Sequence, residues 1–185
     1  VFITVFFFFL NPEDTTALDS LALISLEEVQ LLGIRAKEDT PVTFTNLTQK
    51  EVAARNLGQD IPILLNYLPA VVATIDSGAG IGYTGIRVRG TDATRVNVTI
   101  NGIPYNDAES QGTFWVNLPD FISSVDKIQL QRGVGTSTNG AAAFGASLNL
   151  QTTTIQKQAQ ATLSSSIGSF NSRKHSIQFQ TGLLQ

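Results

Sequence analysis

Asp107 and Glu109 stand two residues apart in a stretch rich in loop formers. Paired carboxylates can transfer protons or hold a hard cation, but either task needs further partners. The sequence places none beside them, so they read as a solvated loop, with ligand contact as the second reading. The single histidine, His175, could serve a hydrolytic triad only beside a nucleophile turn. Its surroundings contain no such turn, and it reads as an exposed or lumen-facing side chain. Gly80-Ile81-Gly82-Tyr83-Thr84-Gly85 has the G-x-G-x-x-G spacing of a dinucleotide cradle. That cradle must follow a strand and open a helix, whose first amides hold the pyrophosphate. Here Ile86-Arg87-Val88-Arg89 alternates like a strand instead, and the glycines read as a tightly turned loop. Asn46-Leu47-Thr48 and Asn97-Val98-Thr99 match the glycosylation triplet but fall in or beside predicted ordered structure.

Composition narrows the field further. The chain has 185 residues, 42% of them hydrophobic, no cysteine, no methionine, one histidine and a net charge of −3. This suffices for one packed domain of ordinary size. Absence of cysteine removes disulfides, thiolate zinc sites, iron–sulfur clusters and thiol nucleophiles. The acidic balance argues against a dedicated nucleic-acid binder. Arg87, Arg89, Lys127 and Arg132 are not interleaved with aromatic residues as a nucleic-acid surface would be, and they read as a salt-bridged strand face. No catalytic constellation, metal site or cofactor site emerges, and no enzyme is expected. The missing methionine predicts a chain that is not a complete translation product.

Charge and hydropathy divide the chain. All 15 acidic residues lie in 1–126, and none in the 59 residues that follow, which predicts a change of module. Nine of the ten residues Val1–Leu10 are apolar. Ten helical residues reach only about 15 Å, half of a bilayer core. The run therefore reads as the apolar middle of a secretory signal, or alternatively as a buried strand.

The elements that must carry these residues follow from local pattern. After a flexible lead-in, a short strand is predicted at Val29–Ile34 and another at Thr40–Leu47. Thr48 and Glu51 form a capping box for a helix Gln49–Asn56 that stops at Gly58. Asp60 is placed to cap a second helix with Pro62 in its first turn, running to Tyr67 before Pro69. Strands are predicted at Ile86–Arg89, Val96–Ile100, Lys127–Gln131 and Ser147–Gln151, with a hairpin turn at Asn101-Gly102 and a single helical turn at Pro119–Ile122. Strands and helices do not alternate regularly, which favours a compact α+β domain. From Ala159 to Gln180, aliphatic residues alternate with Gln, Ser and Thr around a turn at Gly168–Arg173. That hairpin fits either a half-buried sheet or a membrane barrel with a polar lumen.

Six motifs stand in one order: TPVTF (40–44), LLNYLPAV (64–71), IRVRG (86–90), VTINGIP (98–104), VDKIQLQRG (125–133) and NGAAAFGASLNL (139–150). Together they closely resemble the plug domain of TonB-dependent outer-membrane receptors. The resemblance implies the fold class: an α+β plug with a small mixed β-sheet and short helices, followed by the first β-hairpin of a truncated transmembrane β-barrel. It divides the chain into a signal remnant (1–10), a lead-in with a TonB-contact segment (11–35), the plug (36–153) and the first barrel hairpin (154–185).

It further implies active uptake of a scarce nutrient, with an iron–siderophore complex as the commonest family role. Cobalamin, haem or glycan uptake, or a stand-alone periplasmic binding module, are the alternatives. The partners it implies are the inner-membrane TonB complex, the barrel itself, a small ligand such as a ferric siderophore, and the outer membrane. The plug would sit in the barrel lumen with its lead-in facing the periplasm. TonB would pair with Glu27, Glu28, Val29, Gln30 and Leu31 by strand addition. Gln30 and Leu31 replace the Thr and Val usual in the family there. Ligand-facing residues would be Ser77 and Tyr83 in one loop and Tyr105, Asn106, Asp107, Glu109 and Gln111 in another. Arg87, Arg89 and Arg132 would meet the barrel, where carboxylates can pair with them.

Overall fold

The computed structural model describes residues 35–134, 143–154 and 156–182. The expected signal remnant (1–10), the strand at Val29–Ile34, the TonB-contact residues Glu27, Glu28, Val29, Gln30 and Leu31, and the first part of the last motif lie outside them. The described residues divide into two compact units, those within Leu31–Thr154 and those within Ile155–Gln185.

In chain order the strands are β1 (Thr43–Thr48), β2 (Val71–Ile75), β3 (Thr84–Val88), β4 (Val96–Ile100), β5 (Ile103–Pro104), β6 (Val125–Arg132), β7 (Ala146–Thr152), β8 (Gln160–Ile167) and β9 (Arg173–Gln180). Two five-residue helices, α1 (Gln49–Ala53) and α2 (Ile61–Leu65), join them. A five-stranded sheet runs β1-β6-β7-β4-β5, antiparallel throughout except for the parallel β4–β7 pair. The β2–β3 and β8–β9 hairpins each form a two-stranded sheet of their own.

Period-2 alternation decides which side chains form the core. Val96 and Val98 on β4, Ile128 and Leu130 on β6, and Leu148 and Leu150 on β7 share one face and are buried with Leu47, Leu64, Leu65 and Trp115. The residues between them are polar, and they are buried too: Thr99, Gln129, Gln131, Ser147 and Asn149. Buried polar groups must find partners. Thr99 Oγ1 donates to Asn149 Oδ1 at 2.6 Å, and Gln131 Nε2 donates to Gln129 Oε1 at 2.9 Å. Gln129 also holds the start of the domain. Its oxygen accepts from the Ala36 amide at 2.7 Å, and its nitrogen donates to the Ala36 carbonyl at 2.9 Å and to Asn46 Oδ1 at 2.8 Å.

A five-residue helix is too short to persist alone, so local bonds and packing must hold it. For α1 the predicted capping box is present: Thr48 N donates to Glu51 Oε2 at 2.8 Å, and Glu51 N donates back to Thr48 Oγ1. The helix is shorter than expected, ending at Ala53 rather than Asn56, where Asn56 Oδ1 instead accepts from Gly58 N. Helix α2 ends at Leu65 rather than Tyr67, because Asn66 turns its side chain to accept from Ala73 N on β2. Strand β2 is an element the sequence pattern did not announce. Val71–Ile75 follows directly on Ala70, which takes φ +63.

Strand β4 matches its predicted bounds, and the Asn101-Gly102 turn forms with both residues at positive φ. The expected helical turn near Pro119 appears two residues later, as a 3-10 turn at Phe121–Ser124 behind a left-handed Asp120. Strand β3 starts two residues earlier than predicted and ends at Val88, since Arg89 turns left-handed at φ +54.

Strands β8 and β9 pair in register from Gln160↔Gln180 to Ile167↔Arg173. Ala161, Leu163, Ile167, Ile177 and Phe179 share one exposed face with Ser165, Arg173 and His175, while Gln, Ser and Thr residues and Lys174 form the other, with Ser164 and Ser176 hydroxyls 2.6 Å apart. His175 is exposed opposite Ser165, whose hydroxyl lies 2.9 Å from Nδ1.

Candidate functional site

The loop between β2 and β3 carries the glycine cluster. Gly78, Gly80 and Gly82 all take positive φ, which explains why this stretch turns tightly rather than cradling a phosphate. Ser77 Oγ donates to Ile81 O at 2.6 Å, closing the turn from within. Tyr83 is 68% exposed and Ile81 51%, and Asp76, Ser77 and Ala79 are exposed beside them. Beneath it lies Asp60, 2% exposed, whose Oδ2 accepts from Gly82 N at 3.0 Å and Thr84 Oγ1 at 2.9 Å. Asp60 was expected to cap α2 with its carboxylate. It occupies the N-cap position but makes no side-chain cap bond, because the loop engages it instead. An aspartate ahead of Ile-Pro satisfies the cap pattern, and the pattern cannot register a competitor 22 residues away.

The second loop follows β5. Tyr105 packs partly against the core, and its amide donates to Val98 O. Asn106 spends its side chain on the chain itself: Oδ1 accepts from Val98 N at 2.7 Å, while Nδ2 donates to Val96 O and Gln111 O. Asp107 Oδ2 accepts from Ser110 N at 2.7 Å, Ser110 Oγ at 2.8 Å and Glu109 N at 3.2 Å. Asn106 and Asp107 therefore set the loop's shape, leaving Glu109 and Gln111 as its exposed polar groups. Among the described residues, no hydrogen bond links the two loops.

The Ser110 amide and hydroxyl hold the Asp107 carboxyl below the usual carboxylate range. The folded state thus binds this proton less readily than the unfolded chain. The stabilisation is complete above the ordinary carboxylate pKa and is lost as pH falls through the lowered value. Amide exchange at Glu109 and Ser110 is expected to accelerate only in that acid range. A carboxyl resonance of Asp107 titrating at or above the ordinary value would refute the assignment.

The three arginines do not share one environment. Arg87 is exposed on β3, paired in register with Val72. Arg89 and Arg132 come together at the end of β6. Arg132 is buried, donates from Nη2 to Thr45 Oγ1, and leaves Nε without a partner. Burial first, and the neighbouring Arg89 second, lower the Arg132 pKa from its usual value. Arg89 Nη1 lies over Gly133, where a Cβ would come within 2.7 Å. Guanidinium groups keep their charge in proteins, so two like charges meet here. Among the described residues, neither meets a carboxylate. No group of three or more metal-binding side chains occurs among the described residues either.

The arrangement offers two shaped loops, a cationic pair and a polar sheet face, and it matches a known domain. Residues 36–147 match the TonB-dependent Receptor Plug Domain. The chain is 31% identical over 141 residues to the vitamin B12 transporter BtuB of Vibrio cholerae serotype O1, covering 76% of this chain and 23% of the transporter. It therefore spans about a quarter of the curated relatives it matches. Its fold resembles that of the ferric yersiniabactin uptake receptor FyuA from Yersinia pestis, with TM-score 0.58, 18% identity, and coverage of 78% of this chain and 22% of that one. The copper transporter OprC gives TM-score 0.55 at 15% identity, covering 72% of this chain and 21% of that one. At such identities the likeness to solved structures establishes the fold alone. These relatives are transporters and receptors, not enzymes. With the family match running from Ala36 through β1 to β6 and into the start of β7 at Ser147, and the same fold in solved receptors, the chain belongs to the TonB-dependent receptor plug-domain family.

Proposed function

We propose that this chain is the plug region of an outer-membrane receptor that imports a scarce nutrient at the expense of TonB-transduced energy. The observation that carries this reading is the plug-domain match over residues 36–147. In the proposed division, 1–10 is a signal remnant, 11–35 a lead-in, 36–153 the plug and 154–185 the first barrel hairpin. Ala161, Leu163, Ile177 and Phe179 on one face of β8–β9 suit lipid, with Ser165, Arg173 and His175 on that face only at the turn end of the hairpin, and the opposite Gln, Ser and Thr face suits a wet lumen. Arg89, exposed and without a carboxylate among the described residues, suits acidic partners on a barrel wall, with the buried Arg132 adding positive charge behind it and Arg87 as a further contact. The nutrient in this reading is an iron–siderophore complex, which meets Ser77, Tyr83, Tyr105, Asn106, Asp107, Glu109 and Gln111 at the two loops. Cobalamin is the second reading, favoured by the 31% identity to a vitamin B12 transporter.

The test has two arms. A strain lacking the complete receptor is expected to lose growth on a ferric siderophore as sole iron source. Loss on cyanocobalamin instead would install the second reading. The isolated TonB C-terminal domain is expected to capture the chain through Glu27, Glu28, Val29, Gln30 and Leu31. Deletion of residues 24–32 should abolish capture, and undiminished capture would move the contact elsewhere.

A further inference from the structure

We infer that Asp60 is the positioning residue of the Ser77–Tyr83 loop, fixing Ile81 and Tyr83 as a preformed apolar and aromatic contact for the imported solute. The inference rests on the loop being solute-facing, as proposed above.

Three bonds from one residue reach the loop. Asp60 N donates to Gly80 O at 2.8 Å, while its carboxylate takes Gly82 N and the Thr84 hydroxyl. The carboxylate itself is anchored. It stands at the start of α2, whose Ile61, Leu64 and Leu65 are buried in the core. At the other end of α2, Asn66 Oδ1 accepts from Ala73 N at 3.0 Å. Helix α2 therefore holds the β2–β3 hairpin at two points, its middle and its tip.

The loop needs this support. Gly78, Gly80 and Gly82 have wide conformational freedom. Of residues 76–83 only Gly80 is buried, so packing supplies little restraint. Without the carboxylate, the tip would sample many arrangements. A bound solute would then have to order it, at a loss of affinity. Charge-assisted bonds to a carboxylate are stronger than neutral ones, which suits Asp over Asn at this place.

The side chains so presented define the solute chemistry. Ile81 and Tyr83 offer an aliphatic surface, a ring face and one hydroxyl, and the charge nearest them in the loop is the exposed Asp76, whose amide donates to Tyr83 O at 3.2 Å. That surface fits an uncharged apolar or aromatic face of a solute, with any charged groups of the solute directed elsewhere.

Thr84→Val tests the inference with the smallest disturbance, since it removes one hydroxyl and keeps the volume. Asp60→Asn and Thr84→Ser accompany it. In the 185-residue chain, amide exchange over 77–83 is expected to rise about tenfold in Thr84→Val and further in Asp60→Asn. Thr84→Ser should match the wild type, and the double variant should exchange no faster than Asp60→Asn alone. Unchanged exchange at 77–83 in both Thr84→Val and Asp60→Asn would overturn the anchoring role. Should Asp60→Asn fail to fold, the Thr84→Val and Thr84→Ser pair decides alone.

The same changes in the complete receptor are read by uptake of ferric enterobactin and of cyanocobalamin. Half-saturation is expected to rise about fivefold for the transported probe, with maximal rate and receptor abundance unchanged. A purely structural role would lower abundance or maximal rate instead, and that result overturns positioning. A mobilised loop with unaltered half-saturation would leave the anchor standing and sink the solute-facing reading of the loop.

Discussion

Gln129→Met is expected to destabilise the Leu31–Thr154 unit by about 2–4 kcal/mol, although it keeps the length and volume of the side chain. Gln129 is 1% exposed, and its amide makes four hydrogen bonds. Two of these close on a single residue, the N–H and C=O of Ala36, which is itself buried. A thioether cannot replace them. The substitution would leave a backbone donor and acceptor and the Asn46 oxygen short of partners. An orphaned buried group costs about 1–3 kcal/mol, and relaxation recovers part of the sum.

The consequence is directional. Ala36 is where the chain enters the domain, and Arg35 adds a bond of 2.8 Å to Gln151 beside it. Loss of the clasp should free residues 35–42 before it disturbs β6. Denaturant unfolding together with amide exchange checks this. The expected result is a lower midpoint, with early exchange confined to 35–42. An unfolding free energy within about 0.5 kcal/mol of the wild type would mean that water replaces the clasp fully.

Much of this was legible in the sequence, and the clasp shows where legibility stops. Strand β4, the Thr48–Glu51 capping box and the Asn101-Gly102 turn each depend on residues close in sequence, and each formed as predicted. The polar residues alternating along β6 and β7 suggest in sequence a face turned to water. In the structure Gln129, Gln131, Ser147 and Asn149 are buried within the chain. Alternation gives the period of a strand, but it is the same whether the polar side meets water or other amides. The partners of Gln129 lie 93 and 83 residues away, at Ala36 and Asn46, and no local pattern contains them. Asp60 escaped for the same reason, and so did the meeting of Arg89 with Arg132 across 43 residues. Strand β2 escaped for a different one. Val71-Val72-Ala73-Thr74-Ile75 does not alternate in hydropathy, yet its exposure does, with Val71 buried and Val72 55% exposed. An apolar side chain in the open carries no local mark of its position.

Gly145→Ala is expected to cost about 3 kcal/mol, the upper part of the range for forcing extra atoms into a packed site. Gly145 does not take a positive φ, so the conformation itself tolerates a side chain. Space is the obstacle. An added Cβ would lie 2.8 Å from the Arg95 carbonyl oxygen and 3.1 Å from Thr91 Cβ, and would strike Thr91 Oγ1. Neither neighbour can retreat freely. Thr91 Oγ1 donates to Val88 O at 2.8 Å, and the Arg95 carbonyl already accepts from Gly145 N at 3.0 Å at the start of β4. The strain must therefore pass to β7. Its first residue, Ala146, pairs with Val96 on one side and with Arg132 on the other. On the far side, Gly133 N donates to Gly145 O at 2.8 Å, and Arg89 lies over Gly133. One methyl group would thus disturb the register of β7 and the seat of both arginines together. Thermal unfolding of Gly145→Ala and of the pair Thr91→Ala/Gly145→Ala separates the two obstacles. The pair should recover part of the loss, because the hydroxyl has gone while the Arg95 carbonyl remains. Full recovery would assign the whole cost to Thr91. No loss in the single variant would show that the junction yields, and that the proximity of Arg89 and Arg132 does not depend on a residue without a side chain between β4 and β6.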